Sequence, residues 1–399
     1  MKILYFGYLY DIDGVSLGAK IKVLELLTPL QNLGHEVKIY WLNRQPDSKN
    51  SAKIKTRQFF KEKFSRYLHE PNQIVANFKY FWKEKKIIQA EKPDIIISRL
   101  DVYKFSSLLI SKLYKIPLLI ELDSPVVYEF RTFQPHYKTN IFLLNFLEKI
   151  NLNYSHKIFT VSNQIKNYYV KKGVRPENIQ FISNGVDIQK FHPHIDRKKI
   201  NAKYDLKHTL TIGFVGTLHF WHGINNLMKL IDTILSCNNE VRFLIVGSGG
   251  PLHNEIKEFI KNERLEDRVI LTGFISYDEM PDHIAAMDIV LAPYSKLSFF
   301  YYSPLKIFEY MACGKPVVTA KLGQIVEIIK DEFNGLLCEP GNIEDMKNKI
   351  MALISDREFR ERIGMEARKT VVEQHAWKNK ALQLEKLCLE VANSRIYLS

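Results

Sequence analysis

Short apolar, β-branched runs alternate with helix-length amphipathic segments along almost the whole chain. The runs at 2–8, 36–42, 94–98, 117–122, 157–161 and 179–182 predict a first series of strands. Those at 210–216, 241–247, 268–272, 288–292, 316–320 and 335–338 predict a second. Between them, segments such as 18–32, 162–172, 223–236 and 251–263 carry apolar residues at helical spacing. Strictly alternating strands and helices build parallel sheets covered by helices on both faces, because parallel neighbours need a crossover.

The two series are separated by a polar stretch, 184–208, which carries Pro193 and lacks strand periodicity. The expected architecture is therefore α/β, with two doubly wound, Rossmann-like domains at 1–188 and 189–375. Ligands of such sheets bind beyond the carboxyl ends of the strands, so two sheets facing a central cleft would gather their chemistry there. After Asn342 the pattern turns helical, and Trp377, Leu382, Leu384, Leu387 and Leu389 predict a last helix with one buried side.

Composition narrows the function classes. The 399 residues are 46% hydrophobic, a globular proportion, yet no apolar run reaches the roughly 18 residues that cross a membrane. The opening apolar run is cut short by Asp11 and Asp13 and reads as a buried strand, not a signal peptide. Cys237, Cys313, Cys338 and Cys388 are far apart, which fits isolated core thiols in a reducing cytoplasm and neither a disulfide framework nor a metal site.

Net charge is +13 and mostly local: between Lys49 and Lys92, twelve Lys or Arg face four Glu, so eight of the thirteen charges sit there. Eight aromatics are interleaved: Phe59, Phe60, Phe64, Tyr67, Phe78, Tyr80, Phe81 and Trp82. Two readings stay open, a pair of helices with aromatics inward and lysines in water, or a basic face resting on an anionic membrane surface. Nucleic acid is not expected as a partner.

The first strand runs into Asp11-Ile12-Asp13-Gly14-Val15-Ser16-Leu17-Gly18, where Gly18 at a helix start would let a phosphate approach backbone N–H groups. No G-x-G-x-x-G follows, which argues against a dehydrogenase. Three other segments are more specific. They are Ile182-Ser183-Asn184-Gly185-Val186-Asp187, Phe214-Val215-Gly216-Thr217-Leu218 with Trp221-His222-Gly223, and Ser303-Pro304-Leu305-Lys306-Ile307-Phe308-Glu309-Tyr310-Met311-Ala312-Cys313-Gly314-Lys315-Pro316. With Gly34-His35 and Val246-Gly247-Ser248-Gly249, they resemble the retaining glycosyltransferase family 4, also called glycosyl transferases group 1. The resemblance runs from residue 2 to about 375, and its Ser-Pro-x-Lys-x-Phe-Glu-Tyr-Met-Ala segment marks a branch of that family.

The resemblance implies a GT-B fold, a nucleotide-diphosphate sugar as substrate with no cofactor or metal, and retention of configuration. It implies that 376–399 cross back onto the first domain. It gives Glu309 to the ribose hydroxyls, a vicinal diol that a carboxylate's two oxygens can accept from. Ser303, Pro304 and Leu305 open a helix whose free N–H groups would meet the diphosphate. Gly18, Gly216, Thr217, His219, His222, Gly249, Phe274 and Tyr301 fall among the other donor-binding positions.

Three departures from the family pattern matter. Tyr301 stands where a sugar-contacting Glu is usual, while Thr217 and His222 replace a basic pair. Lys306 is the expected replacement cation, with His219 and His222 adding charge when protonated. Asp123, in Glu121-Leu122-Asp123-Ser124-Pro125, replaces a His near the reacting centre, where it would orient or deprotonate the acceptor or else hold the Ser-Pro turn.

The expected function is glycosyl transfer to a saccharide or lipid-linked saccharide acceptor in cell-surface polysaccharide or glycoconjugate synthesis. The expected place is the cytoplasm, at the inner face of the plasma membrane. A nucleotide-sugar epimerase and a non-catalytic nucleotide-sugar-binding protein are the alternatives.

Overall fold

The computed structural model describes residues 1–9, 17–43 and 58–394, with side chains from 68 to 393 in the last of these segments. The segment 11–16, the basic residues from 49 to 57 and the side chains of Phe59, Phe60, Phe64 and Tyr67 lie outside the described residues.

The chain divides into two units, Met1–Ser183 with Lys378–Ser399, and Asn184–Trp377. The first contains β1 (Lys2–Gly7), α1 (Leu17–Asn32), β2 (Glu36–Trp41), α2 (Gln58–Glu91), β3 (Ile95–Arg99) and α3 (Ser106–Tyr114). It continues with β4 (Leu118–Leu122), α4 (Val126–Phe133), α5 (Ile141–Tyr154), β5 (Lys157–Thr160), α6 (Asn163–Lys171) and β6 (Ile179–Phe181). The second unit opens with α7 (Lys198–Lys203), β7 (Leu210–Val215), α8 (Ile224–Leu235), β8 (Val241–Val246), α9 (His253–Asn262) and β9 (Val269–Leu271). It goes on through α10 (Met280–Ala285), β10 (Ile289–Ala292), α11 (Leu305–Ala312), β11 (Val317–Ala320), α12 (Ile325–Ile328) and β12 (Leu336–Cys338). Then α13 (Ile343–Ser355) and α14 (Arg357–Gln374) lead to α15 (Trp377–Ser394), which returns to the first unit.

Every predicted strand is present, to within one residue at each end. The first sheet has the order β2-β1-β3-β4-β5-β6 and the second β12-β11-β10-β7-β8-β9, all parallel. In each, the order reverses beside the first strand, between β1 and β3 and between β7 and β10. That reversal is the switch point at which doubly wound sheets receive ligands. The central strands are buried on both faces, which is why they read as continuous apolar runs and not as alternating ones, whereas the edge strands β2, β6 and β9 are partly exposed.

Several expectations are corrected. The pair of helices is one helix, α2, which continues through Pro71. Contacts on both sides of the proline hold it: the Glu70 carboxylate accepts from the Tyr103 hydroxyl at 2.9 Å and the Asn140 N–H at 2.7 Å, and Asn77 Nδ2 donates to the Tyr103 carbonyl at 2.8 Å. In α15, Leu384 and Leu387 are buried but Leu382 and Leu389 are exposed. Helical spacing instead puts Ala381, Leu384, Cys388 and Val391 on the inner face. The units part at 183/184 and 377/378, because Val186 and Trp377 exchange backbone hydrogen bonds with 375–377 and 186 inside the second unit. Cys313, Cys338 and Cys388 are core thiols, whereas Cys237 is exposed.

Candidate active site

The site is built in the second unit on the carboxyl ends of β7 and β8. Gly216 follows β7 with φ +144°, and a Cβ there would stand 2.7 Å from the Lys306 amine. Its N–H donates to the Val246 carbonyl at 2.9 Å, and the Leu218 N–H to Gly249 at 3.0 Å, so the two turns lie backbone against backbone. The Tyr310 hydroxyl accepts from the Val215 N–H at 2.6 Å and ties α11 to the end of β7.

Pro304 caps α11, and its fixed φ suits that place. The residue before it is anchored: the Asn184 N–H donates to Ser303 Oγ at 3.2 Å and Asn184 Nδ2 to the Ser303 carbonyl at 2.6 Å. At the other end, the Arg368 guanidinium donates to the carbonyls of Ala312, Phe191 and Ile188 at 2.8, 2.7 and 2.9 Å. Neither role was visible in the sequence. Nothing in the run 182–187 marks Asn184 as an anchor, and nothing marks Arg368 among its charged neighbours on α14.

Lys306 and Glu309 are one turn apart on α11, 8% and 6% exposed. Lys306 Nζ has no hydrogen-bond acceptor among the described residues; it stands 4.4 Å from the Phe214 ring centroid and 5.6 Å from that of Tyr294. Burial pulls its pKa down to about 7, with Glu309 acting the other way.

His222 points Nδ1 at the Thr217 carbonyl, 2.8 Å away, and so carries its proton on that nitrogen. Burial, then the nearness of Lys306, pushes its pKa down to about 3. His219 stacks on Trp221 at 3.9 Å, and burial lowers its pKa too. Neither histidine therefore supplies charge near neutral pH, which corrects the expectation that they would. The cation of this site is Lys306 alone among the residues named for that task.

Tyr301 is buried beside Tyr302 and Phe299, at ring distances of 4.4 and 5.5 Å, an aromatic patch where a carboxylate was the pattern. The structure thus gathers Gly216, Thr217, His222, Ser303, Pro304, Leu305, Lys306 and Glu309 around one helix start. His219 lies against the turn at Gly249 and Gly250. Phe274 stands exposed beyond β9, and Gly18 opens α1 in the other unit. Among the described residues, no three of His, Cys, Asp or Glu group as a metal site would require.

In the first unit, Asp123 is engaged. Lys22 bridges Glu121 and Asp123, Arg99 binds the second oxygen of Asp123, and the Tyr5 hydroxyl donates to Glu121. Burial raises the Asp123 pKa, but Arg99 and Lys22 together outweigh it and hold the carboxyl below its usual range. A carboxylate held in this way is a poor base.

The family description Glycosyltransferase Family 4 matches residues 18–190, and Glycosyl transferases group 1 matches residues 196–370. The chain belongs to this glycosyltransferase family. The N-acetyl-alpha-D-glucosaminyl L-malate synthase of Bacillus anthracis is 26% identical over 62% of this chain and 63% of its own. The UDP-Gal:alpha-D-GlcNAc-diphosphoundecaprenol alpha-1,3-galactosyltransferase of Escherichia coli is 24% identical over 71% of this chain and 72% of its own. The chain spans about three-fifths of the first curated relatives it matches, at 59, 60 and 63% of their lengths. The structure of Anabaena HepE with UDP superposes with a TM-score of 0.70 at 19% identity, over 98% of this chain and all of that one. That likeness gives the glycosyltransferase its fold, GT-B.

Two substitutions probe the packing of these sites. Gly216→Ala forces a Cβ into a left-handed φ and against Lys306, and should lower stability by about 1–3 kcal/mol. An unshifted thermal midpoint would show that the turn can give way. Lys22→Met leaves Glu121 and Asp123 short of a buried cation and should cost about 3–5 kcal/mol in urea unfolding. A loss below about 1 kcal/mol would mean that water reaches the cluster.

Proposed function

We propose that this glycosyltransferase moves a hexosyl group, with retention, from a nucleotide-diphosphate sugar to a hydroxyl of a saccharide or lipid-linked saccharide. The observation that supports this best is the start of α11, where a buried lysine with no acceptor among the described residues and a buried glutamate one turn on flank the first helical N–H groups. A diphosphate offers the charge that this arrangement lacks, and a ribose diol suits the carboxylate.

In the reaction, the acceptor oxygen bonds to the anomeric carbon as the bond to the diphosphate breaks. Negative charge then grows on the leaving oxygen, where Lys306 and the helix start act. Asp123 already holds two cations, so we assign the acceptor's proton to the departing diphosphate and give Asp123 the positioning of Arg99. The undecaprenol-linked acceptor in the name of the Escherichia coli relative supports a lipid-linked saccharide here, and with it a role in cell-surface polysaccharide synthesis.

A lipid-linked acceptor requires a membrane surface, and α2 is suited to one. Asn77, Tyr80, Glu84 and Ile88 are its buried face, while Leu68, Val75, Phe78 and Trp82 form an exposed apolar stripe beside Lys79, Lys83 and Lys86. Among the described residues no helix is long and apolar enough to cross a membrane. We therefore put the enzyme on the anionic inner face of the plasma membrane, held by this stripe and its lysines.

Thermal-shift screening against a panel of nucleotide sugars, followed by product analysis with the one that binds, tests the proposal. Glu309→Ala should weaken that binding about tenfold or more, from the loss of charge-assisted hydrogen bonds worth roughly 1.5–3 kcal/mol each. Unchanged affinity would take Glu309 out of the site. The wild-type protein should sediment with anionic liposomes at low salt and be released as salt rises. Phe78→Ser with Trp82→Ser should abolish this and leave nucleotide-sugar binding intact, whereas equal binding to neutral and anionic vesicles would exclude the basic surface.

A further inference from the structure

Lys306 offers a measurable property beyond the binding of a diphosphate. Its amine has aromatic walls, Phe214 and Tyr294, and no acceptor among the described residues. The surrounding backbone is closed by Gly216, against which the amine packs. An ammonium in such a place loses its hydration and gains only the faces of two rings in return. The neutral amine has much less to lose, and an arriving anion reverses the balance by supplying the missing oxygens.

We infer that binding of a nucleotide sugar to this unit is coupled to uptake of one proton from solvent by the Lys306 amine, which becomes the ammonium that faces the diphosphate. The inference rests on the nucleotide-sugar reading of the site given above. The cation is thus made when the substrate arrives, and the site is spared a permanent buried charge.

The groups around the amine leave it as the titrating one. From the turn after β7, His222 is held neutral by burial and by Lys306 itself, with a pKa of about 3. His219 is lowered by burial and is neutral through the slightly alkaline range. From beyond β10 and from α11, burial keeps the Tyr294 and Tyr310 hydroxyls above the ordinary tyrosine range and protonated. Glu309, one turn along α11, draws the lysine upward against the effect of burial, which nevertheless leaves it at about 7.

The sign of the linkage follows. Binding raises the lysine's pKa, so affinity is full below the free value, about 7, and falls as pH rises through and above it. The fall approaches about tenfold per pH unit until the bound value is reached. At about pH 8 roughly 0.9 proton should be taken up per ligand, and at about pH 6 roughly 0.1. Nucleotide sugars suit the measurement because their diphosphate is doubly esterified and has no proton to exchange in this range. A free terminal phosphate titrates near about 6.

The test is calorimetric titration of the full chain with UDP-glucose, UDP-galactose, UDP-N-acetylglucosamine and GDP-mannose at pH 6 and pH 8. Each is run in buffers of different ionisation enthalpy, which gives the proton count directly. The expected result is uptake near one proton at the higher pH and little at the lower, with Lys306→Met abolishing it. Lys306→Arg, charged at every pH, should bind without uptake. Binding of any of these ligands with no proton exchanged, or with the same uptake in Lys306→Met, overturns the inference and leaves the donor reading standing. Failure of all four to bind at either pH sinks the donor reading and this inference with it.

Discussion

Backbone meeting backbone at the carboxyl ends of β7 and β8 is the constraint on which the second unit depends. A Cβ on Gly247 would stand 2.0 Å from the Gly216 carbonyl oxygen, closer than any atom can come. With no side chain between them, the two turns close into a floor, and α11 is drawn down onto it by the bond between Tyr310 and Val215. Apolar clusters on both faces of the sheet, around Met311 and Phe308 on one side and around Leu227 and Ile231 on the other, press the strands into this register. The start of α11 is therefore placed by rigid elements at three points, which is what a site for a charged ligand needs.

The first unit uses the same sheet logic with a different charge economy. There Lys22 is buried between two carboxylates, with Arg99 and Tyr5 completing the set, so every charge has a partner. Lys306 in the second unit is also buried but faces rings instead. A fully paired cluster fixes structure and resists change, because removing one member strands another. Lys306 lacks such an ion pair, and Glu309 one turn along α11 only partly offsets its burial. The contrast separates a fully paired buried cation from one that faces aromatic rings in the same chain.

Much of this was legible in the sequence, for reasons that can be stated. The twelve strands of the two sheets were readable because central strands buried on both faces must be apolar throughout, and because helix-length amphipathic segments separate most of them. The helix start at Ser303 and Pro304, with Lys306 and Glu309 behind it, was reached through the resemblance of that segment to family 4, which assigns those positions to a donor. Other features depend on which chain segments meet. The continuity of α2 through Pro71 rests on Tyr103 and Asn140, distant in sequence, and local propensity argues against it. The neutrality of His222 depends on burial beside Lys306, which no spacing reveals. The anchoring of Ser303 by Asn184 joins residues more than a hundred positions apart.

The distribution of sulfur has a practical consequence. Cys313, Cys338 and Cys388 are buried, and burial pushes each thiol up to about 12, far from the thiolate that reacts. Cys237 is exposed just past the end of α8, with its sulfur resting on the carbonyls of Thr233 and Ile234. A maleimide dye added to the native protein would accordingly attach at one position, without any cysteine having to be engineered away. That position lies at the far end of α8 from the turn that carries His222. A fluorophore there would report on the second unit while standing clear of the start of α11.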